Sequence, residues 1–344
     1  MYDIITFGSA AQDIHIKSKA FKILKDLPAQ AGENNFTKGE GLCLALGSKI
    51  DVEDIKFASG GGGTNTAVAF AKQGFKTAFC GTVGEDNAGK EIIEELKKLR
   101  VNTGLTFKIK EKPTNHSIII ESPGQDRIIL VYRGASELLT SKEIPWNKLK
   151  TKWIYLAPLS GLLCDNFEDI VDFAFNNKIK VAANPGNSQL SLPQEKLKNI
   201  LKKINVLILN KEEASQLTKI PFAEEQSIFK KIDEICSGVF VMTKGGEGVV
   251  VSDGKYLYRA KPHKNRKVVD TTGAGDSFAS GFISDYIRRD GDIEKAIQLG
   301  MANSEENLAK TGAKTGLLEK NSEFERVQVT KEERGQNNLC ISKF

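Results

Sequence analysis

Residues 270–278 read Asp270-Thr271-Thr272-Gly273-Ala274-Gly275-Asp276-Ser277-Phe278 and continue as ASGFISDYI to residue 287. A turn of three small residues, Gly273, Ala274 and Gly275, runs straight into a helix expected over 275–289. Small side chains let a ligand approach the backbone. The unbonded N–H groups of a first helical turn point outward with the positive end of the helix dipole behind them. Such a turn is an anion site suited to a phosphoryl group gaining charge. Asp276 falls in that first turn, where it stays ionised and is placed to accept a proton from a substrate hydroxyl. The plain alternative is that Asp276 only complements the dipole and the glycines only make a turn.

Outward from this stretch, strand-like and helix-like segments alternate. Strands are expected at 2–7, 76–81, 153–157, 179–184, 206–210 and 238–243, with helices at 64–73, 89–99, 166–177, 193–204 and 227–236 between them. A hairpin follows at 249–260, turning at Asp253-Gly254, and two last helices cover 275–289 and 293–309. Strands separated by helices of this length predict parallel βαβ units with right-handed crossovers. Two stretches interrupt the alternation, 14–59 and the hairpin 117–133 around Pro123-Gly124. Paired, they would form a small sheet standing off the main one, a candidate lid. The polar stretch from Lys320 is expected to fray. The expected organisation is one domain over 1–320, with the lid drawn from about 14–59 and 115–133, and a polar tail at 321–344.

A second glycine cluster, Gly60-Gly61-Gly62-Gly63-Thr64-Asn65, precedes a helix. It would let a polyhydroxylated ligand lie against bare backbone, with Asn65 offering donor and acceptor. It lacks the G-x-G-x-x-G spacing and sits well past the first strand, which disfavours a nicotinamide enzyme. Gly84-Glu85-Asp86-Asn87-Ala88-Gly89-Lys90-Glu91 has P-loop spacing up to its last position. There Glu91 replaces the hydroxyl that should hold magnesium, so a strand-to-helix turn is the better reading. Gly275-Asp276-Ser277 lacks a histidine partner, which argues against acyl transfer.

The chain has 344 residues and a net charge of +5, with 40% apolar and 27% charged residues. It is long enough for a substantial core and is neither disordered nor collagen-like. It has no dense basic arm for nucleic acid, no apolar run of the ~20 residues that cross a bilayer, and no signal-peptide pattern at its start. Five scattered cysteines, Cys43, Cys80, Cys164, Cys236 and Cys340, suit free thiols in a cytoplasmic protein. His15, His116 and His263 are equally dispersed, against a metal cluster or a histidine-dependent triad.

Taken together these segments resemble the ribokinase (PfkB-type) family of carbohydrate and nucleoside kinases. DTTGAGDSF is similar to that family's C-terminal signature and GGGGTNTAVAFAKQG to its N-terminal one. FGSAAQD, VGEDNAG, Asn210-Lys211-Glu212-Glu213 as N-x-x-E, and Thr243-Lys244-Gly245-Gly246-Glu247-Gly248 as a nucleotide loop follow in the family's order, across about 2–318. The resemblance implies a ribokinase-like three-layer α/β/α domain with a mostly parallel central sheet and a small β-sheet lid. It implies Asp276 as base and Gly273, Ala274 and Gly275 as anion hole. Asp13, Gly61, Gly62 and Asn65 would bind the sugar. Asn210, Thr243, Gly245, Gly248 and Asn303 would serve the nucleotide, and Glu213 would hold Mg²⁺ through water. ATP and Mg²⁺ are the implied cofactors, with K⁺ left open, because GAKTGLL (312–318) follows the monovalent-cation positions only loosely. Further departures are the long Asp13–Gly60 segment and Asn184-Pro185-Gly186, where many members carry an acidic or extended variant. A homodimer through the lid strands is also implied.

The expected activity is ATP-dependent phosphorylation of a hydroxyl on a small sugar. A carboxylate at Asp13 suits two neighbouring hydroxyls better than a phosphorylated or carboxylated substrate. The alternative within the fold is a nucleoside kinase, with Phe36, Phe57 or Tyr132 supplying a slot for the base. The rival from another class is a non-catalytic sugar or nucleotide sensor, which has no need of a base at Asp276.

Overall fold

The computed structural model describes residues 1–25, 40–121 and 127–334. The Pro123-Gly124 turn, Phe36 and Cys340 lie outside the described residues. The described chain divides into two compact units, one comprising Met1–Ala11, Ser59–Asn115 and the chain from Arg133 onward, the other Gln12–Ala58 and His116–Tyr132.

The first unit is built on a ten-stranded sheet. Tyr2–Phe7 lies near its middle, paired in parallel with Thr151–Leu156 on one side and Thr77–Gly84 on the other. Beyond Thr77–Gly84 comes Asn102–Ile109, also parallel. On the other side Lys180–Ala183, Val206–Asn210 and Val239–Thr243 extend the parallel run, and Val249–Ser252, Tyr256–Ala260 and Val329–Glu333 add antiparallel strands. Central strands such as VLILN and VFVMT are apolar almost throughout because helices cover both faces. Helices Phe167–Asn176, Gln194–Leu201 and Glu225–Asp233 bury Phe167, Ile200 and Phe229 against one face. Ala274–Arg288 and Ile293–Leu308 bury Phe278, Phe282 and Ile297 against the other. This is the three-layer architecture that the alternation predicts. The stretch after Lys320 does not simply fray: Val329–Glu333 finds unpaired backbone on the edge strand Tyr256–Ala260 and adds a strand there.

The second unit contains most of a four-stranded sheet in the order Asp54–Gly60, Ala11–Lys17, Asn115–Glu121, Ile128–Tyr132, with Lys22–Leu24 and Gly41–Cys43 forming a separate antiparallel pair. The hairpin expected at 117–133 is present as antiparallel Asn115–Glu121 and Ile128–Tyr132. Strand Ala11–Lys17 was not expected from the sequence. Its AQDIHIK alternation places Ala11, Asp13 and His15 on the buried face.

Chain order across the large sheet reverses at the central strand. From Tyr2–Phe7 the chain builds outward through Thr77–Gly84 and Asn102–Ile109, then crosses to Thr151–Leu156 on the opposite side. Connections diverge from that point, at the carboxyl ends of Tyr2–Phe7 and Thr151–Leu156, the place where open α/β sheets bind ligands in a crevice.

Candidate active site

Both glycine clusters converge on that crevice. Helix Gly62–Lys72 starts there behind the N-cap Gly61, at φ +95°; a Cβ on Gly61 would stand 2.5 Å from the Ser9 carbonyl oxygen. A Cβ on Gly62 would stand 3.2 Å from the Ala157 Cβ, just past strand Thr151–Leu156, and 3.4 Å from Asp276 Oδ1. Asn65 Nδ2 donates to Asp276 Oδ2 at 2.9 Å. The two stretches, 211 residues apart in sequence, therefore meet at one carboxylate.

The turn carrying Asp276 is held from behind. Asp270 accepts Thr272 N at 2.8 Å and Gly312 N at 2.9 Å. Gly273 is the N-cap of helix Ala274–Arg288 in the left-handed conformation, φ +81°, pressed against Ala313. No side chain caps this helix. A Cβ on Gly275 would meet no protein atom within 4 Å, so the backbone there is open to an incoming group. Asn65 Oδ1, Tyr155 OH, Thr272 Oγ1 and Ser277 Oγ are buried and lack a hydrogen-bond partner among the described residues.

Further along the carboxyl edge, Asn210 and Glu213 cap helix Lys211–Thr218 reciprocally. Asn210 Oδ1 accepts Glu213 N at 2.7 Å, and Glu213 Oε2 accepts Asn210 N at 2.8 Å. Burial raises the Glu213 pKa against the opposing effects of the Asn210 backbone N–H and the Asn184 side chain. Asn184 thus joins the N-x-x-E group, a role its sequence context did not reveal. At the end of the next strand, Thr243 leads into a tight turn in which Lys244 N donates to Gly248 O at 2.8 Å, with Gly245 and Gly246 facing open space. Lys244 and Lys211 are held by Glu225 and Glu247, each at 2.8–2.9 Å.

Asn303 is only 1% exposed; its Nδ2 donates to Ser277 O at 2.7 Å and its Oδ1 accepts Leu318 N at 2.8 Å, which braces the turn carrying Asp276 from behind. Asp13 lies buried on strand Ala11–Lys17. The P-loop lookalike is a closed turn: Asp86 caps helix Asn87–Lys98 through Gly89 N, and a Cβ on Gly89 would lie 2.3 Å from Gly84 O. Among the described residues no group of three His, Cys, Asp or Glu side chains is arranged to hold a metal, and no helix is long and apolar enough to cross a membrane.

The sequence is similar to ribokinase from Haemophilus influenzae, 28% identical over 291 residues, covering 79% of this chain and 88% of the relative. It is 27% identical to a nucleoside kinase from Methanocaldococcus jannaschii, covering 82% and 89% of the two chains. The structure of Arabidopsis thaliana ribokinase complexed with ribose and ATP superposes with a TM-score of 0.73 over 92% of this chain and 96% of that one, at 21% identity. The fold is therefore ribokinase-like. The profile of the pfkB family carbohydrate kinases matches residues 38–321, and with the two glycine signatures meeting at Asp276, the chain belongs to that family: it is a phosphotransferase with a hydroxyl acceptor, acting on a sugar or a nucleoside.

Proposed function

We propose that the protein transfers the γ-phosphoryl group of ATP to a hydroxyl of a small sugar, with Asp276 as base and the Gly273-Ala274-Gly275 turn as anion hole. The observation that carries this reading is the meeting of Asn65 and Asp276 beside the open Gly275 backbone at the sheet's switch point. The acceptor oxygen forms a bond to the γ-phosphorus as the bond to the β,γ-bridging oxygen breaks. ADP leaves with that electron pair, and the hydroxyl proton passes to Asp276. The transition state is loose, so the base mainly orients the hydroxyl and takes its proton late. Backbone N–H groups at the helix start face the charge spreading over the transferring group. Gly61, Gly62 and Asn65 line the acceptor side. Thr243, Gly245 and Gly248, beside Asn210, offer the nucleotide a bare turn.

Glu213 and the Asn210 cap fit Mg²⁺, an ion that takes most of its ligands from water and phosphate and few from protein. When bound, it supplies charge neutralisation on the β- and γ-phosphates. Strand Ile128–Tyr132 is an edge strand, and all five of its residues, IILVY, are exposed. An apolar edge of this kind invites pairing, and a second copy of the chain is the partner proposed for it.

A second reading, a nucleoside acceptor, is favoured by the similarity to the nucleoside kinase from Methanocaldococcus jannaschii. One experiment separates the two readings and tests both. ATP consumption is measured against a panel of pentoses, hexoses, their phosphates and nucleosides, for wild type and Asp276→Asn. Asparagine keeps the size and the Asn65 contact but cannot take a proton. Turnover is expected to fall by about 10² to 10⁴ with little change in KM. A variant within a few-fold of wild type removes Asp276 from the mechanism.

A further inference from the structure

Tyr155 is a large side chain with no exposed surface, set in the middle of the sheet, and its hydroxyl finds no hydrogen-bond partner among the described residues. A buried O–H donor without an acceptor is costly, and replacing it with a hydrogen would normally be neutral or stabilising. Tyr155 pairs in register with Thr6 and Ala182, one row below the carboxyl edge. It packs with Phe278, Ala279 and Phe282 of the helix that Asp276 begins, and its ring meets Phe70 edge-on at 5.5 Å. Alternation puts Ala157 and Asn184 in the row above it on the same face. Ala157 is the small residue that borders Gly62 beside Asp276. Tyr155 thus stands on the sheet face that carries Ala157, one row below the residue bordering Gly62 beside Asp276. The charges of Asp276 and Glu213 both add to the burial that raises its pKa. A second orphan, Asn65 Oδ1, belongs to the side chain that already holds Asp276.

We propose that Tyr155 is a positioning residue for Asp276: its hydroxyl, through one buried water shared with Asn65 Oδ1, holds the carboxylate in the orientation that meets the acceptor hydroxyl. The water would accept from Tyr155 and donate to Asn65 Oδ1 and Asp276, the three partners typical of a buried water. This role rests on Asp276 being the base.

The test is a double-mutant cycle of Tyr155→Phe and Asp276→Asn, read as kcat, both KM values and melting temperature, with ATP and the acceptor chosen by the panel. Phenylalanine keeps the contact with Phe70, so the fold and melting temperature should hold. Tyr155→Phe is expected to lower kcat about tenfold, the equivalent of one hydrogen bond, with KM unchanged. In the Asp276→Asn background it should cost nothing further, because the group it orients is gone. Two results overturn the proposal: a Tyr155→Phe turnover within twofold of wild type, or the same loss repeated on top of Asp276→Asn. A wild-type-like Asp276→Asn would overturn the base assignment itself, and the role of Tyr155 with it.

Discussion

Gly273 and Gly275 are two residues apart, yet substituting alanine should have opposite effects on stability and activity. At Gly275 the new methyl meets no protein atom within 4 Å, and the backbone is already right-handed at a helix start. Replacing glycine in a compatible conformation stabilises a protein by about 0.4–1 kcal/mol, chiefly by restricting the unfolded chain. For a chain of this size that is a rise in melting temperature of about 2 °C or less. The same methyl occupies the space where a transferring phosphoryl group must approach the backbone. Losing one anion-hole donor typically costs about 10² to 10³ in turnover. Gly275→Ala should therefore be a slightly more stable, nearly inactive protein, and Gly275→Val more inactive still. At Gly273 the φ of +81° costs an alanine about 1–2 kcal/mol, and its Cβ would stand 2.5 Å from the Ala313 Cβ and 2.7 Å from its Cα. Gly273→Ala should melt several degrees lower. Thermal unfolding and a coupled ADP-release assay on the same preparations decide the matter. A Gly275→Ala enzyme with wild-type kcat would refute the placement of the phosphoryl group at this turn.

Glu213→Gln can still cap its helix, since Gln serves as well as Glu at that position, so its melting temperature at pH 7–8 should equal or exceed that of wild type while turnover and magnesium dependence fall. Burial raises the Glu213 pKa, so the folded state takes its proton more readily than the unfolded chain, and its contribution to stability is lost as pH rises through the folded value. The glutamine variant should lose that component of the pH–stability curve; a large loss of acceptor binding with a normal magnesium response would instead reassign the residue. Light scattering should show a dimer at micromolar concentration and a monomer for Leu130→Lys on the exposed edge strand; a monomeric wild type rejects the second copy. Hydrogen exchange in Ala11–Lys17 and Asn115–Glu121 should slow when the phosphoryl acceptor is added, and equal protection with and without it rules out gating by the small sheet.

Much of the fold was legible because its signals are local. Apolar runs such as VLILN, separated by helix-period segments, predict a parallel sheet covered on both faces. Asp270–Phe278 is readable as a helix start for the same reason, because the glycines that begin the helix stand next to it in sequence. Strand Ala11–Lys17 was missed because its alternating AQDIHIK pattern is short and interrupted by polar residues. Val329–Glu333 was missed because TKEE carries no apolar signal, and only a free edge on Tyr256–Ala260 makes it a strand.

The sequence by itself singled out the residues proposed to carry the chemistry, through their spacing and through their place at helix starts. The tertiary structure alone decided which of them meet. The Asn65–Asp276 contact joins segments 211 residues apart, and no periodicity specifies a contact at that range. The same packing set Asn303 as a brace between Ser277 and Leu318, because a buried side-chain amide bonds to the nearest backbone groups. It also left Tyr155, which reads in sequence as one more apolar strand residue, with a buried hydroxyl that has no hydrogen-bond partner among the described residues.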